Sequence, residues 1–479
     1  MDAKTKEVLH WFEEIAKIPR CSKSEAQICE WLTQWAKDNG FGVKKDRVDN
    51  VVIQVPGTVG YEGSSPVVIQ GHMDMVCEKA KGTDFDFATD PIKLVYDGDW
   101  LTADQTTLGA DNGIAIAMAL ALSLDKDQPH PPLELLFTVD EETGLTGAVA
   151  LEPGFVEGKI LLNVDSEDEG VFTVGCAGGK DTKMALNLPV EAVPAGLKPF
   201  KLVAGGMSGG HSGVDIHEQR ANAIIVTARA LNELLKASEV RLLSASGGTA
   251  HNAIPRDAEA VIALPGGAAD AAQKIVADLA GVVKAEHGKT DPNITIVLEA
   301  SESGGEGLTA AATRKAVDFM LALPHGVADM SLDIEGLVET SDNLAEIKLE
   351  GGKLTALTSQ RSSDMNRLQL LTDRIESVTR GFGGEAESGE GYPAWQPNMA
   401  SPLLAKCQEV YKALMGKDPV VEIIHAGLEC GIIGAKYEGM DMISFGPTIK
   451  NPHSPDEKLE IKTIGQVYDF MGALLKELK

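Results

Sequence analysis

The sequence predicts an α/β protein, a mixed sheet with helices on both faces, split by an inserted α+β domain. Three observations carry this reading. Short β-branched runs such as NVVIQV (50–55) and PVVIQ (66–70) alternate with apolar helical stretches over the first 180 or so residues. The texture changes after GCAGG at 175–179, and it returns after the loop-rich segment GFGGEAESGEGYP at 381–393. A chain of 479 residues is also too long for one ordinary core, so two domains, or one with a large insertion, are expected.

In chain order, the first 40 residues predict two helices. The second is opened by Ser22 or Ser24 and stopped by Gly40, with Ile28, Trp31, Leu32 and Trp35 on one face. DNGIAIAMALALSLD (111–125) reads as an apolar helix, while LELLFTV (133–139) and KILLNV (159–164) read as buried strands. The middle predicts amphipathic helices around 219–237, 268–285, 309–323 and 363–380, alternating with half-buried strands such as VRLLSA, AEAVIAL, NITIVLEA and LAEIKL. After residue 394 a helix at 401–415, the strands VVEIIH and MDMISF and a closing helix from Ile461 complete the first domain. The expected boundaries are 1–185 with 395–479 for the split domain and 186–394 for the insertion.

Composition narrows the function. Lys plus Arg number 43 against 71 Asp plus Glu, a formal net charge of −28, which repels phosphate backbones and anionic membranes and argues against nucleic-acid partners. The acidic amphipathic start lacks the basic and apolar stretches of a signal peptide, and no apolar run approaches the roughly 20 residues that span a bilayer. The six cysteines form no CxxC pair or small-domain framework, so reduced thiols and a cytoplasmic location are expected, with Cys77 a small buried hydrophobe.

Acid and histidine clusters follow strand-like runs at four places: VVIQGHMD (67–74), FTVDEE (137–142), LNVDSED (162–168) and ISFGPTIKNPHSPDE (443–457). Residues leaving the carboxyl ends of strands in an open α/β sheet converge on one crevice. Each cluster alone is ordinary, a solvated turn or a satisfied histidine. Together they offer two imidazoles and several carboxylates, the nitrogen and oxygen set that zinc accepts in catalytic sites, and that manganese or cobalt can share. Five ligands for two metals require one carboxylate to bridge, and Asp111, at a helix start after the flexible Gly109-Ala110, is placed to do so.

The ordered motifs GHMDMV, TTLGADNGIAIA, DEETGLTGA, NVDSEDEG, GCAGG, GGHSGVDIH, HNAIPR, HAGLECG and GPTIKNPHSPDE resemble those of the aminoacyl-histidine, or cytosol non-specific, dipeptidases over nearly the whole chain. These belong to a superfamily of co-catalytic zinc aminoacylases and carboxypeptidases that pair a catalytic domain with an inserted lid. The resemblance implies two Zn2+ per subunit: His72 and Asp165 hold one, Glu142 and His453 the other, and Asp111 bridges them. It implies that Asp74 orients the His72 imidazole and that Glu141 is the general base and acid that moves the proton of an activated water. From the lid, it gives His211 to oxyanion stabilisation, and Asn252 and Arg361 to the peptide's terminal carboxylate. Small peptide substrates, including Xaa-His dipeptides and carnosine, and a homodimer are further expectations. His217, His251 and His425 receive no role. An aminoacylase, carboxypeptidase or tripeptidase with the same metal centre is the nearest alternative, and a two-lobed peptide-binding protein without catalysis is the alternative from another class.

Overall fold

A computed structural model describes residues 1–302, 304–332, 334 and 336–479. The chain forms two compact units, one of residues 1–176, 395–423 and 428–479, the other of residues 177–394 and 424–427.

The first unit is built on an eight-stranded mixed sheet. Its strands run in the order 42–45, 51–55, 133–138, 67–72, 160–163, 441–444, 171–176 and 420–424. The central strands Val67–His72, Leu133–Thr138, Ile160–Asn163 and Asp441–Ser444 pair in parallel, and the flanking strands at 51–55 and 171–176 join them antiparallel. Both Val67–His72 and Leu133–Thr138 are buried along their whole length, which explains their continuous rather than alternating apolar pattern. The helix Ala110–Leu124 is buried at every position from Asn112 to Leu122. It can be apolar all round because it packs against strand Val67–His72 and against helix Ala3–Ile15. Gly71 permits that approach: a Cβ there would lie 2.2 Å from Asn112 Oδ1 and 2.7 Å from the Ala115 Cβ.

The second unit is an antiparallel sheet in the order 295–300, 197–205, 258–265, 241–247, 338–350, 353–362, 178–187 and 385–388, with 326–330 paired to 338–350. Helices Ala223–Ala237, Ala269–His287, Ala310–Ala322 and Met365–Gly381 bury one face each, and residues such as Leu231, Val276, Phe319 and Ile375 join one core with Leu202, Ile262 and Leu344. Strand Gly178–Asn187 pairs with 353–362 and 385–388, so the boundary expected at 185/186 falls inside a strand. Glycines thin its apolar signal at the point where the chain enters the second sheet.

The expectation of six reduced cysteines is overturned. Cys21 and Cys77 form a disulfide with their Cα atoms 5.7 Å apart, while Cys29, Cys176, Cys407 and Cys430 are free and buried. The pair is separated by 56 residues and belongs to no short motif, so spacing gave no sign of it. Folding joins the two segments through a parallel bridge between Cys21 and Met75 and the bond from Met75 N to Arg20 O.

Candidate metal centre

Five segments of the first unit bring their acids and histidines together: three leave strands of the eight-stranded sheet, at His72, Glu141–Glu142 and Asp165, and two follow strands of a separate four-stranded sheet, Asp111 after Trp100–Ala103 and His453 after Ile449–Lys450. His72 ends its strand and is 1% exposed. Its Nδ1 lies 3.2 Å from Asp74 Oδ1, which turns Nε2 toward Asp111 Oδ1 at 3.0 Å and Asp165 Oδ1 at 3.5 Å. His453, in the loop after Ile449–Lys450, points its Nε2 at Asp111 Oδ2 (3.1 Å) and Glu142 Oε2 (2.9 Å). Among the described residues four groups have ligand atoms mutually within 4.8 Å; two of them, His72–Asp111–Asp165 and Asp111–Glu142–His453, share Asp111, whose two oxygens are divided between them, and the others are His72–Glu141–Glu142 and Glu25–Asp74–Asp140.

Asp74 has two tasks. One oxygen meets the imidazole of His72, and its carboxylate also accepts from the backbone N–H groups of Glu141 (3.0 Å) and Glu142 (3.2 Å) and from Ser22 Oγ (2.8 Å). It thus fixes the His72 ring and the turn carrying the paired glutamates. That turn starts from Asp140 at φ +50°, whose own carboxylate accepts from Thr143 and Thr146 hydroxyls. Burial opposes ionisation of Asp74, but the bonds from His72, Glu141 and Ser22 outweigh it and hold its pKa down at about 2.

The electrostatics of the cluster have one cause, surplus negative charge in a buried place. Burial pushes Glu141 well above the carboxylate range, against the pull of His72, with Asp165, Glu429 and Glu142 adding to the rise. Burial raises Glu142 and Asp165 as well. Bonds to Asp111 and Glu142 lift His453 to about 11. A pair of divalent cations would answer the same charge. Buried Glu142 Oε1 has no hydrogen-bond partner among the described residues, and Asp165 Oδ1 has only the 3.5 Å approach of His72 Nε2, as expected of oxygens reserved for a metal. With two imidazole nitrogens and carboxylates sharing one bridging residue, the donor set fits a two-zinc site.

Sequence reasoning passed over two further acids here. Glu429 is fully buried, its Oε2 accepting from Gln70 Nε2 (2.6 Å) and Thr138 Oγ1 (2.7 Å), and burial pushes its pKa up to about 7. The available signal was Gln70, polar after the apolar run Val67–Ile69, and Thr138 at the end of its buried strand. Glu457, 2% exposed, accepts from four successive backbone N–H groups at Leu108 to Asp111.

In the second unit, His211 Nδ1 accepts from the N–H groups of Gly213 (3.2 Å) and Val214 (3.0 Å), which leaves the imidazole proton of the neutral ring on Nε2. Ser212 N donates to Asn252 O at 2.8 Å, so the loops of His211 and Asn252 are joined through backbone while the Asn252 side chain is exposed. Arg361 is 6% exposed, donates from Nη1 to Tyr392 Oη at 2.7 Å, and has a buried Nε with no partner among the described residues. The loop of His211 lies close against it: a Cβ on Gly213 would be 3.1 Å from Arg361 Cδ and 2.1 Å from His425 O. His217 Nδ1 donates to Val214 O, and exposed His251 pairs with Asp181.

His425 is buried, with Nε2 2.8 Å from Ser341 Oγ; burial, then Arg361 and His211, push its pKa down to about 3. The folded protein therefore keeps a neutral ring where the unfolded chain would take a proton. Its contribution to stability is present above pH 6.5 and is lost as pH falls below that value, at up to about 1.4 kcal/mol per pH unit. Denaturant titrations at pH 7, 6 and 5 are expected to show a shallower pH slope for His425→Gln than for the natural chain.

Comparison with known proteins agrees with this architecture. A model of the peptidase dimerisation domain matches residues 204–291, and a model of peptidase family M20/M25/M40 matches 263–477. The cytosol non-specific dipeptidase of Escherichia coli is 39% identical over 467 residues, covering 98% of this chain and 96% of that protein. The crystal structure of aminoacylhistidine dipeptidase from Vibrio alginolyticus superposes with a TM-score of 0.88 at 40% identity, covering 98% of this chain and 96% of that one. Aminopeptidase PepT from Bacillus cereus shares the fold at a TM-score of 0.58 and 16% identity, covering 99% of this chain and 98% of that one. With its sheet-end acid and histidine clusters and this near full-length similarity, the chain belongs to the aminoacylhistidine, or cytosol non-specific, dipeptidases of peptidase family M20/M25/M40.

Proposed function

We propose that this protein is a metal-dependent dipeptidase that hydrolyses unblocked dipeptides, Xaa-His and β-alanyl-histidine among them. The observation that carries the reading is the division of Asp111 between two ligand clusters, with Glu141 beside the ligand Glu142. His72 and Asp165 would hold one zinc, Glu142 and His453 the other, and Asp111 both; manganese or cobalt would suit the same donors. Bound there, the metals supply Lewis acidity, polarising the scissile carbonyl and lowering the pKa of water toward 7.

Glu141 takes the proton of the attacking water on its carboxylate and delivers it to the leaving amine. Its carboxylate reaches within 4.8 Å of the ligand atoms of His72 and Glu142, beside where the metals and their water would be held. Asp74 holds the His72 ring and the 141–142 turn in register. His211, with its proton on Nε2, has the donor needed for a developing oxyanion. Arg361, supported by Tyr392 and with Nε still open, is suited to a substrate carboxylate, and Asn252 to the same terminus. A homodimer through the dimerisation domain and a cytoplasmic location complete the proposal. No described helix is long and apolar enough to cross a membrane.

Initial rates on a panel of dipeptides, tripeptides and N-acyl amino acids test the assignment. Preference for free dipeptides is expected; preference for N-acyl amino acids or longer peptides would make the chain an aminoacylase, carboxypeptidase or tripeptidase. Arg361→Ala is expected to slow free dipeptides about 10- to 100-fold, the scale of a lost charge-assisted pair, while already poor C-amidated dipeptides change little. An equal loss on both would make Arg361 a prop for Tyr392 and its loop.

A further inference from the structure

Asp111 must present its two oxygens to two histidines at once, 3.0 Å from His72 and 3.1 Å from His453. Its backbone is not that of a regular helix, with φ −78° and ψ 107°. It lies in the first turn of the helix Ala110–Leu124, whose N-cap Gly109 has φ +69° and no side chain to cap that turn. The cap comes instead from a residue 348 positions beyond Gly109. Glu457 Oε2 accepts from the N–H groups of Leu108 (2.7 Å) and Gly109 (2.9 Å), and Oε1 from those of Ala110 (2.8 Å) and Asp111 (3.3 Å). Four successive donors on one carboxylate fix the course of the backbone up to the bridging residue.

Glu457 itself belongs to the turn that carries His453. Its N–H donates to Ser454 O at 3.0 Å, Ser454 Oγ donates to Asn451 O at 3.0 Å, and Glu457 O accepts from Thr102 Oγ1 at 2.8 Å. One buried side chain thus ties the His453 turn to the Asp111 loop. Arg20, 2% exposed, closes the arrangement from the other side by donating to Gly109 O, Met73 O and Asp74 O. Among the acids around its guanidinium, Glu457 acts on it most strongly, ahead of Asp74, Asp111 and Glu142.

We infer that Glu457 is a positioning residue for the metal pair: by clamping residues 108–111 to the turn of His453, it sets the spacing between the bridging carboxylate and the second metal's histidine. This rests on the two-metal reading proposed above. A neutral amide cannot replace the carboxylate, because its NH2 would face two N–H donors and only one oxygen would remain to accept. An aspartate keeps both acceptors on a side chain one methylene shorter.

The test is zinc titration of chelator-stripped, folded protein, with kcat and KM measured on the restored enzyme. The natural chain is expected to bind two equivalents. Glu457→Gln is expected to keep its far-ultraviolet circular dichroism and one equivalent, to bind the other at least 10-fold more weakly, and to lose kcat with little change in KM. Glu457→Asp is expected to lie between the two. Two equivalents bound with unchanged affinity in both variants would overturn the inference and leave the two-metal site standing. Loss of folded metal-free protein in both variants would overturn it as well, since Glu457 would then hold up the fold rather than the metal spacing. A natural chain that binds no metal would remove the two-metal reading itself.

Discussion

Replacing Glu141 by glutamine is expected to leave two metals bound and to lower kcat by about 10² to 10⁴, the range a positioned proton shuttle contributes. The amide keeps the size of the side chain and the backbone bond to Asp74, but it cannot accept and return a proton. Neighbouring Glu142 meets His453 at 2.9 Å and has its other oxygen buried without a partner, so Glu142→Gln is expected to lose metal. Metal analysis alongside kinetics separates the two roles. Loss of metal from the Glu141 variant, with retention in the Glu142 variant, would exchange them.

Alanine at His72, Asp111 or His453 is expected to reduce both bound metal and turnover. The loss in turnover should exceed the 10- to 100-fold typical of losing an outer partner of a metal ligand. The three should differ in stoichiometry. His72 and His453 each face one cluster, so their variants should chiefly lose one equivalent, whereas Asp111 is divided between both and its variant should weaken both. Unchanged stoichiometry in all three would mean that other residues hold the metals.

The sheet strands were legible because burial on two faces gives continuous apolar runs, as at 67–72 and 133–138. The helices of the second unit were legible from their period, since each buries one stripe against the sheet. At the candidate metal centre, residue type and position after a strand point to His72, Glu142, Asp165 and His453, a helix start after Gly109-Ala110 points to Asp111, and the family motifs suggest their grouping. What escaped depends on pairs distant in sequence. Glu429 is defined by Gln70 and Thr138 across 359 and 291 residues, and the Cys21–Cys77 pair by a bridge between loops. Glu457 was the last letter of a motif noted for its histidine, and its task exists only once residues 108–111 fold against it. Spacing within a motif shows local geometry, and none of these contacts is local.

The most direct measurement is turnover of a free dipeptide by protein stripped with a chelator and then restored with counted equivalents of zinc. No turnover in the stripped protein, and recovery that levels off at two equivalents per chain, is the expected result. Full turnover by protein shown to be free of metal would contradict the proposed chemistry, because the cluster around Asp111 would then be a buried polar network unconnected with hydrolysis.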